Sequence, residues 1–242
     1  MKRLSTALVI ILLAAVAANA DIYIKSKVHT DPVSMMGQTQ PASDTVSEQW
    51  IGDNIFATVT EGMTNVIDLK KNVMFMVNHK DKSYVEMPMP IDLMKVLPPE
   101  AQAMAPMMQM TATVAPTSET KQIGQWNCTA YDATLTVMGM QMKMRMWAST
   151  AVPGDLAAFA AKALPVFMQA TMRLNQSSIQ EFAKIKGFQI ATEVTGDMMG
   201  AKIRTTTEVV EITEKTAPAG TFAPPAGYTK KTTLSMQDLQ RR

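Results

Sequence analysis

TVMGMQMKMRMW, residues 136–147, carries methionine at every second position. Met138, Met140, Met142, Met144 and Met146 alternate with Gly139, Gln141, Lys143, Arg145 and Trp147. Successive side chains of an extended chain point to opposite faces, so a strand here has one thioether face and one mostly polar face. Gly139 is the expected turn or bulge. A turn at Gly139 starts the second strand near Gln141 and ends it near Ser149, with Met142, Met144 and Met146 on one face and Lys143 and Arg145 on the other. Three uses of such a face compete: a packed core, a pliable cavity for an apolar guest, and a site for a soft metal.

The same two-residue period extends outward in both directions. DIYIKSKVHT (21–30), TVSEQWIG, NIFATVTEG, TNVIDLKK, NVMFMVNHK and KSYVEM are short strand-like runs separated by the turn-like clusters GDN, EGM, LKKN and HKDK. Such spacing predicts an antiparallel meander. MTATVAP and KQIGQWNCTAYDATL return to strand character, and FQIATEVTGDMMGAKIRTTTEVVEIT reads as a hairpin around Gly196 to Gly200.

Two segments break the pattern. MPMPIDLMKVLPPEAQAMAPMMQM (87–110) has prolines at 88, 90, 98, 99 and 106 and reads as one or two short helices in an insertion. PGDLAAFAAKALPVFMQATMRLNQSSIQEFAKIKGF (153–188) is the most helical stretch: Leu156, Phe159, Ala160, Ala163, Leu164 and Phe167 recur at helical spacing, and Gly187 is a plausible stop. The expected class is therefore α+β: a curved antiparallel sheet with helices over about 90–108 and 154–186 on one side.

Residues 1–20, MKRLSTALVIILLAAVAANA, have the form of a signal peptide: basic Lys2 and Arg3, a short apolar run, and Ala18-Asn19-Ala20 at the cleavage position. The expectation is a single domain over 21–242 in a periplasmic or secreted protein, soluble after cleavage and without a stable membrane anchor. Of 23 Lys+Arg and 21 Asp+Glu, Lys2 and Arg3 belong to this leader, so the remainder is charge-balanced. Balance removes the electrostatic argument for a nucleic-acid partner. Cys128, the one cysteine, cannot form an internal disulfide and reads as a small buried residue.

Catalytic signatures are thin. The histidines are His29 and His79, and no GxSxG, HExxH or phosphate-cradling glycine loop is present. No catalytic residue, metal ligand set or cofactor is assigned, and the expectation is a protein that is not an enzyme. A Cu(I) alternative places donors at Met74 and Met76 near His79, or at Met142, Met144 and Met146 beside Trp147. A second alternative is a structural envelope protein whose 23 methionines are only core.

NVIDLKKNVMFMVNHKDKSYVEM at 65–87, KQIGQWNCTAYDATL at 121–135, MRMWAS at 144–149 and AGTFAPPAGYTK at 219–230 carry a resemblance. The chain resembles an exported bacterial family of unknown function related to the periplasmic lipoprotein-carrier (LolA/LolB-like) superfamily. The resemblance implies a strongly curved antiparallel sheet, an unclosed β-barrel with covering helices over its open side, whose concave face is an apolar cavity for lipid chains. It departs from the carriers in having no lipobox cysteine and no arginine gate. Combined with the residue pattern, it leads to an apolar (lipid-like) ligand in a methionine-lined cavity formed by Met142, Met144 and Met146 on the sheet and Met104, Met107 and Met108 on the covering segment. The expected partners are an apolar small molecule or lipid chain and, secondarily, another envelope protein.

Overall fold

A computed structural model describes residues 21–35, 38–103, 110–137, 139–153, 156, 159, 165–166, 168–169, 174–198, 200–235 and 238. The leader-like residues 1–20 and Met104, Met107, Met108 and Met138 lie outside this set. The first half comprises β1 (Asp21–Thr30), a small hairpin of β2 (Val33–Met35) and β3 (Gln38–Gln40), then β4 (Ser43–Gly52), β5 (Ile55–Val59), β6 (Met63–Asp68), β7 (Val73–Asn78) and β8 (Ser83–Pro88). Helices α1 (Leu93–Val96) and α2 (Pro99–Gln102) follow, α2 opening on proline as expected. The second half comprises β9 (Met110–Ile123), β10 (Trp126–Val137), β11 (Met140–Ser149), α3 (Gln176–Phe182), β12 (Phe188–Met198), β13 (Ala201–Lys215) and β14 (Thr229–Lys231).

Twelve of these strands form one sheet in the order β14-β8-β7-β6-β5-β4-β1-β13-β12-β11-β10-β9. Neighbours are antiparallel except β14, which adds in parallel to β8. The end strands β14 and β9 do not pair, so the curved sheet is unclosed. Strand residues make up 60% of the chain and helical residues 11%, so it is mostly β rather than α+β in the expected proportion. The prolines explain part of the shortfall. Pro88 ends β8 and Pro98 holds an extended conformation before α2, which leaves room for only one-turn helices. In the second helical segment Leu156, Phe159, Pro165 and Val166 are helical, and α3 is a seven-residue helix capped by the Asn175 side chain, which accepts from the Ser178 N–H at 2.9 Å.

The turns follow local chemistry. Gly139 (φ +78°) turns β10 into β11 and Gly200 (φ +85°) turns β12 into β13. In the meander the left-handed positions fall to Asn54, Asn72 and Lys82; asparagine tolerates this region better than most side chains. Gly187 (φ +92°) does not end a helix directly. It lets the chain pass the β11 terminus, where a Cβ would lie 2.3 Å from the Ser149 carbonyl oxygen.

Both sheet faces are buried around the centre. The inner face, toward Leu156, Phe159 and α3, holds Ile24, Ile51, Phe56, Ile67 and Met74. On the outer face Tyr23, Trp50, Ala57 and Val66 pack beneath the proline- and glycine-rich crossing through Ala217 and Phe222. The Lys215 ammonium sits 3.3 Å from the Tyr23 ring centroid. Burial, followed by a hydrogen bond donated to Glu48, pushes the Tyr23 hydroxyl up to about 12. Farther along, the outer face of β10–β12 is a charge ladder: Arg145 lies between Asp132 at 3.2 Å and cross-strand Glu193, and it reaches Glu119 at 2.9 Å.

The alternation in β11 falls as the sequence reading requires. Met142, Met144 and Met146 share the inner face with Tyr131, Ala133 and Leu135, while Lys143 and Arg145 lie outward. Met146 is fully buried. Met146→Ala is expected to lower unfolding stability by about 2–5 kcal/mol, and Met146→Leu by less than about 1.5 kcal/mol. Equilibrium urea denaturation of both variants measures the difference.

Candidate functional site

Five strands contribute two parallel rows to the inner face. One row is apolar and buried: Phe56 on β5, Ile51 on β4, Ile24 on β1, Val209 on β13 and Ile190 on β12. Two positions along each strand, and so on the same face, lies an uncharged polar residue. These are Thr58, Gln49, Ser26, Thr207 and Thr192. Cross-strand register links them: Thr58 opposes Gln49, and Thr207 opposes Thr192. A bulge at Val210 of β13, opposite Lys25 and Ser26, carries Ser26 opposite Val209 and keeps the two rows diagonal and continuous.

Between these rows and the helical cover lies a cavity of about 630 Å³. Its cover includes Phe159, Met168, Ile179, Phe182 and Ile185. Phe159 meets Phe56 edge-on, with centroids 5.4 Å apart at 82°. Three more glutamines, Gln176, Gln180 and Gln189, stand at the wall. No described wall residue is Asp, Glu, His, Lys, Arg, Cys or Tyr. The volume suits a small-molecule guest, and the described wall offers hydroxyl and amide groups but no ionisable acid or base.

The cover stands where it does because of the β9 edge. The Ser178 hydroxyl accepts from the Ala112 N–H at 2.8 Å, and Glu181 accepts from the Val114 N–H at 2.8 Å. These side chains occupy the unpaired donors of the edge strand, which docks α3 across β9–β11. The hydrogen bond from Lys184, with that from the Val114 N–H, holds the Glu181 carboxyl below the ordinary range.

This docking decides the fate of the methionine face. Met142, Met144 and Met146 pack with Met168, Ile179 and Phe182. They are not among its described wall residues: they lie beside it on the same face, Met146 directly cross-strand from the wall residue Thr192. Among the described wall residues Met168 is the one methionine. Where Met104, Met107 and Met108 lie relative to the cavity falls outside the described residues. The wall residues themselves, glutamine, threonine and aliphatic, were missed by the sequence reading. Their signal was the repeated apolar-x-polar step in IFATV, EQWIG and IKS, visible only once the strand register is known.

The other candidate donors separate. Met74 and Met76 are buried on the inner face, within a cluster that includes Met63, Met87 and Met89. His79 belongs to the outer face, where its ring nitrogens contact the Thr64 hydroxyl at 2.8 Å and the Tyr228 hydroxyl at 3.1 Å. No group of three or more His, Cys, Asp or Glu among the described residues is arranged to hold a metal ion. Cys128 is buried, its burial pushes the thiol pKa up, and so it is a poor nucleophile. His29 lies at a sheet end with Nδ1 2.7 Å from Asp44 and Nε2 3.2 Å from Asp31, which also meets Arg204 at 3.5 Å. The C-terminal segment is tied down by buried Asp238, which accepts from Asn78 at 2.8 Å and from the Ser235 hydroxyl at 2.7 Å. Burial pushes the Asp238 carboxyl up, but the hydrogen bonds from Ser235 and Asn78 outweigh it and hold the group below its ordinary value.

Residues 48–228, about three quarters of the chain, match the family described as Domain of unknown function (DUF4412), and the chain belongs to that family. No curated protein matches it. No described helix is long and apolar enough to cross a membrane.

The hydrogen bond to Asp44 leads the effects that raise the His29 pKa above its ordinary 6.5. The protonated ring therefore stabilises the fold fully below that value, and the contribution is lost as pH rises through the higher folded pKa. His29 is expected to titrate above 6.5 by NMR, and Asp44→Asn to bring its midpoint down.

Proposed function

We propose that this member of the DUF4412 family is a non-enzymatic, periplasmic binding protein that holds an apolar, lipid-like ligand inside its half-barrel. The observation that carries the reading is the cavity of about 630 Å³ between the inner face and the helical cover, with Phe56, Ile51, Val209 and Ile190 on its floor and no ionisable side chain in its described wall. Each methylene moved from water onto such a floor contributes about 0.8 kcal/mol, so a partly enclosed acyl chain binds usefully. The leader-like residues 1–20 support export, and the resemblance to the lipoprotein-carrier superfamily supports a lipid-type guest. The methionines serve here as adaptable packing: Met142, Met144 and Met146 sit beside the wall on the same face and let it re-form around guests of different shape.

Titration with the uncharged apolar dye N-phenyl-naphthylamine tests the reading. Saturable fluorescence enhancement is expected, and native mass spectrometry of protein purified from its host is expected to show a co-purified apolar molecule. Ala183 lines the cavity and is exposed. Ala183→Trp fills the space without opening the core and is expected to weaken dye binding about tenfold or more. Absence of saturable binding together with absence of a co-purified molecule would overturn the proposal, as would stoichiometric Cu(I) uptake abolished by Met74→Leu or Met142→Leu.

A further inference from the structure

We infer that the guest of this cavity is an uncharged amphiphile, with its chain on the apolar row and a hydroxyl-, ester- or amide-bearing head on the polar row. The inference rests on the binding reading above and names the chemistry of the ligand. A cavity made only for hydrocarbon needs no polar floor, and burying polar groups without partners is unfavourable. Here the polar row runs unbroken over five neighbouring strands and is built from uncharged side chains that both donate and accept.

Two wall groups of this row lack partners among the described residues, whereas the Thr192 hydroxyl accepts from the Gln189 amide. Ser26 is 5% exposed and lines the cavity, and its hydroxyl makes no hydrogen bond among the described residues. The Gln49 amide, half-buried on the same face, likewise has none. The row continues on β6 as Asn65, directly opposite Thr58, and its Oδ1 is buried with no partner. In the described wall Ser26 and Gln49 are donors and acceptors held ready for a guest, and on β4, β5, β12 and β13 the apolar half of the cavity begins two residues away. A carboxylate, phosphate or ammonium head finds no opposite charge in the described wall, and its desolvation is left uncompensated. A glycerol ester, alcohol or amide head finds hydroxyl and amide groups of matching polarity.

A displacement series with chains of one length decides it. N-phenyl-naphthylamine is displaced from the full chain by monopalmitoylglycerol, palmityl alcohol, palmitamide, palmitate and palmitylamine at about pH 8, where the carboxylate is ionised and the amine charged. The three uncharged compounds are expected to bind about tenfold or more tightly than the two charged ones. Gln49→Lys places an ammonium on the row and is expected to raise palmitate affinity about tenfold relative to monopalmitoylglycerol. Thr207→Val, nearly isosteric, is expected to weaken monopalmitoylglycerol and leave the dye unchanged, which covers the case of a Gln49→Lys protein that does not fold. Equal affinities for palmitate and palmityl alcohol, with the dye still bound, would overturn this inference and leave the binding reading standing. If no compound displaces the dye, the inference also falls. If the dye itself does not bind, both fall together.

Discussion

Everything in this molecule hangs on β1 lying between β4 and β13. Two meanders, β4–β8 and β9–β13, are each local in sequence, and β1 is the strand that joins them through antiparallel ladders on both sides. Its inner face supplies Ile24 and Ser26, its outer face supplies Tyr23, and the bulge at Val210 of β13 shifts the register at Lys25/Ser26. Pairing residue 22 with residue 214 is costly in chain entropy and is compensated by burial on both faces. Without this strand the two rows that define the cavity floor would be two unrelated halves.

An unclosed sheet has edges, and the way each edge is covered determines the rest of the architecture. At one end β14 adds to β8 in parallel over Thr229–Lys231, and Pro88 occupies the uncovered remainder, where a missing N–H costs no ladder bond. At the other end Pro116 sits in the edge strand β9, and α3 offers Ser178 and Glu181 to the free N–H groups. Because α3 is held there, it lies over β9–β11 and its far side walls the cavity over β12, β13, β1, β4 and β5. Edge protection and cavity placement are thus one structural event.

Charge and polarity are sorted by face. Outward, Asp132, Arg145 and Glu193 form a cross-strand ladder of alternating sign, and the side-chain hydrogen bond from Arg204 leads the effects that keep the Glu193 carboxyl below its ordinary value. Inward, the described wall of the cavity keeps polar groups and carries no charged side chain. The outward charges offset one another across the strands, and the described cavity wall is left to hydroxyl, amide and hydrocarbon groups.

Short-range chemistry in the sequence determined the strand runs, the turns at Gly139 and Gly200, the proline-opened helix α2 and the inward facing of Met142, Met144 and Met146. Each follows from the two-residue alternation of a strand or from the backbone preferences of glycine and proline. The balance of strand over helix, the site of α3 and the identity of the cavity wall were decided only in three dimensions. Whether a buried face meets a helix or an open space depends on register and on which edge needs covering, and neither is written in local periodicity. The methionines therefore announced an inner face correctly, while Ser26, Gln49, Thr58, Thr192 and Thr207, scattered over five strands, became a row only when the ladders set them side by side.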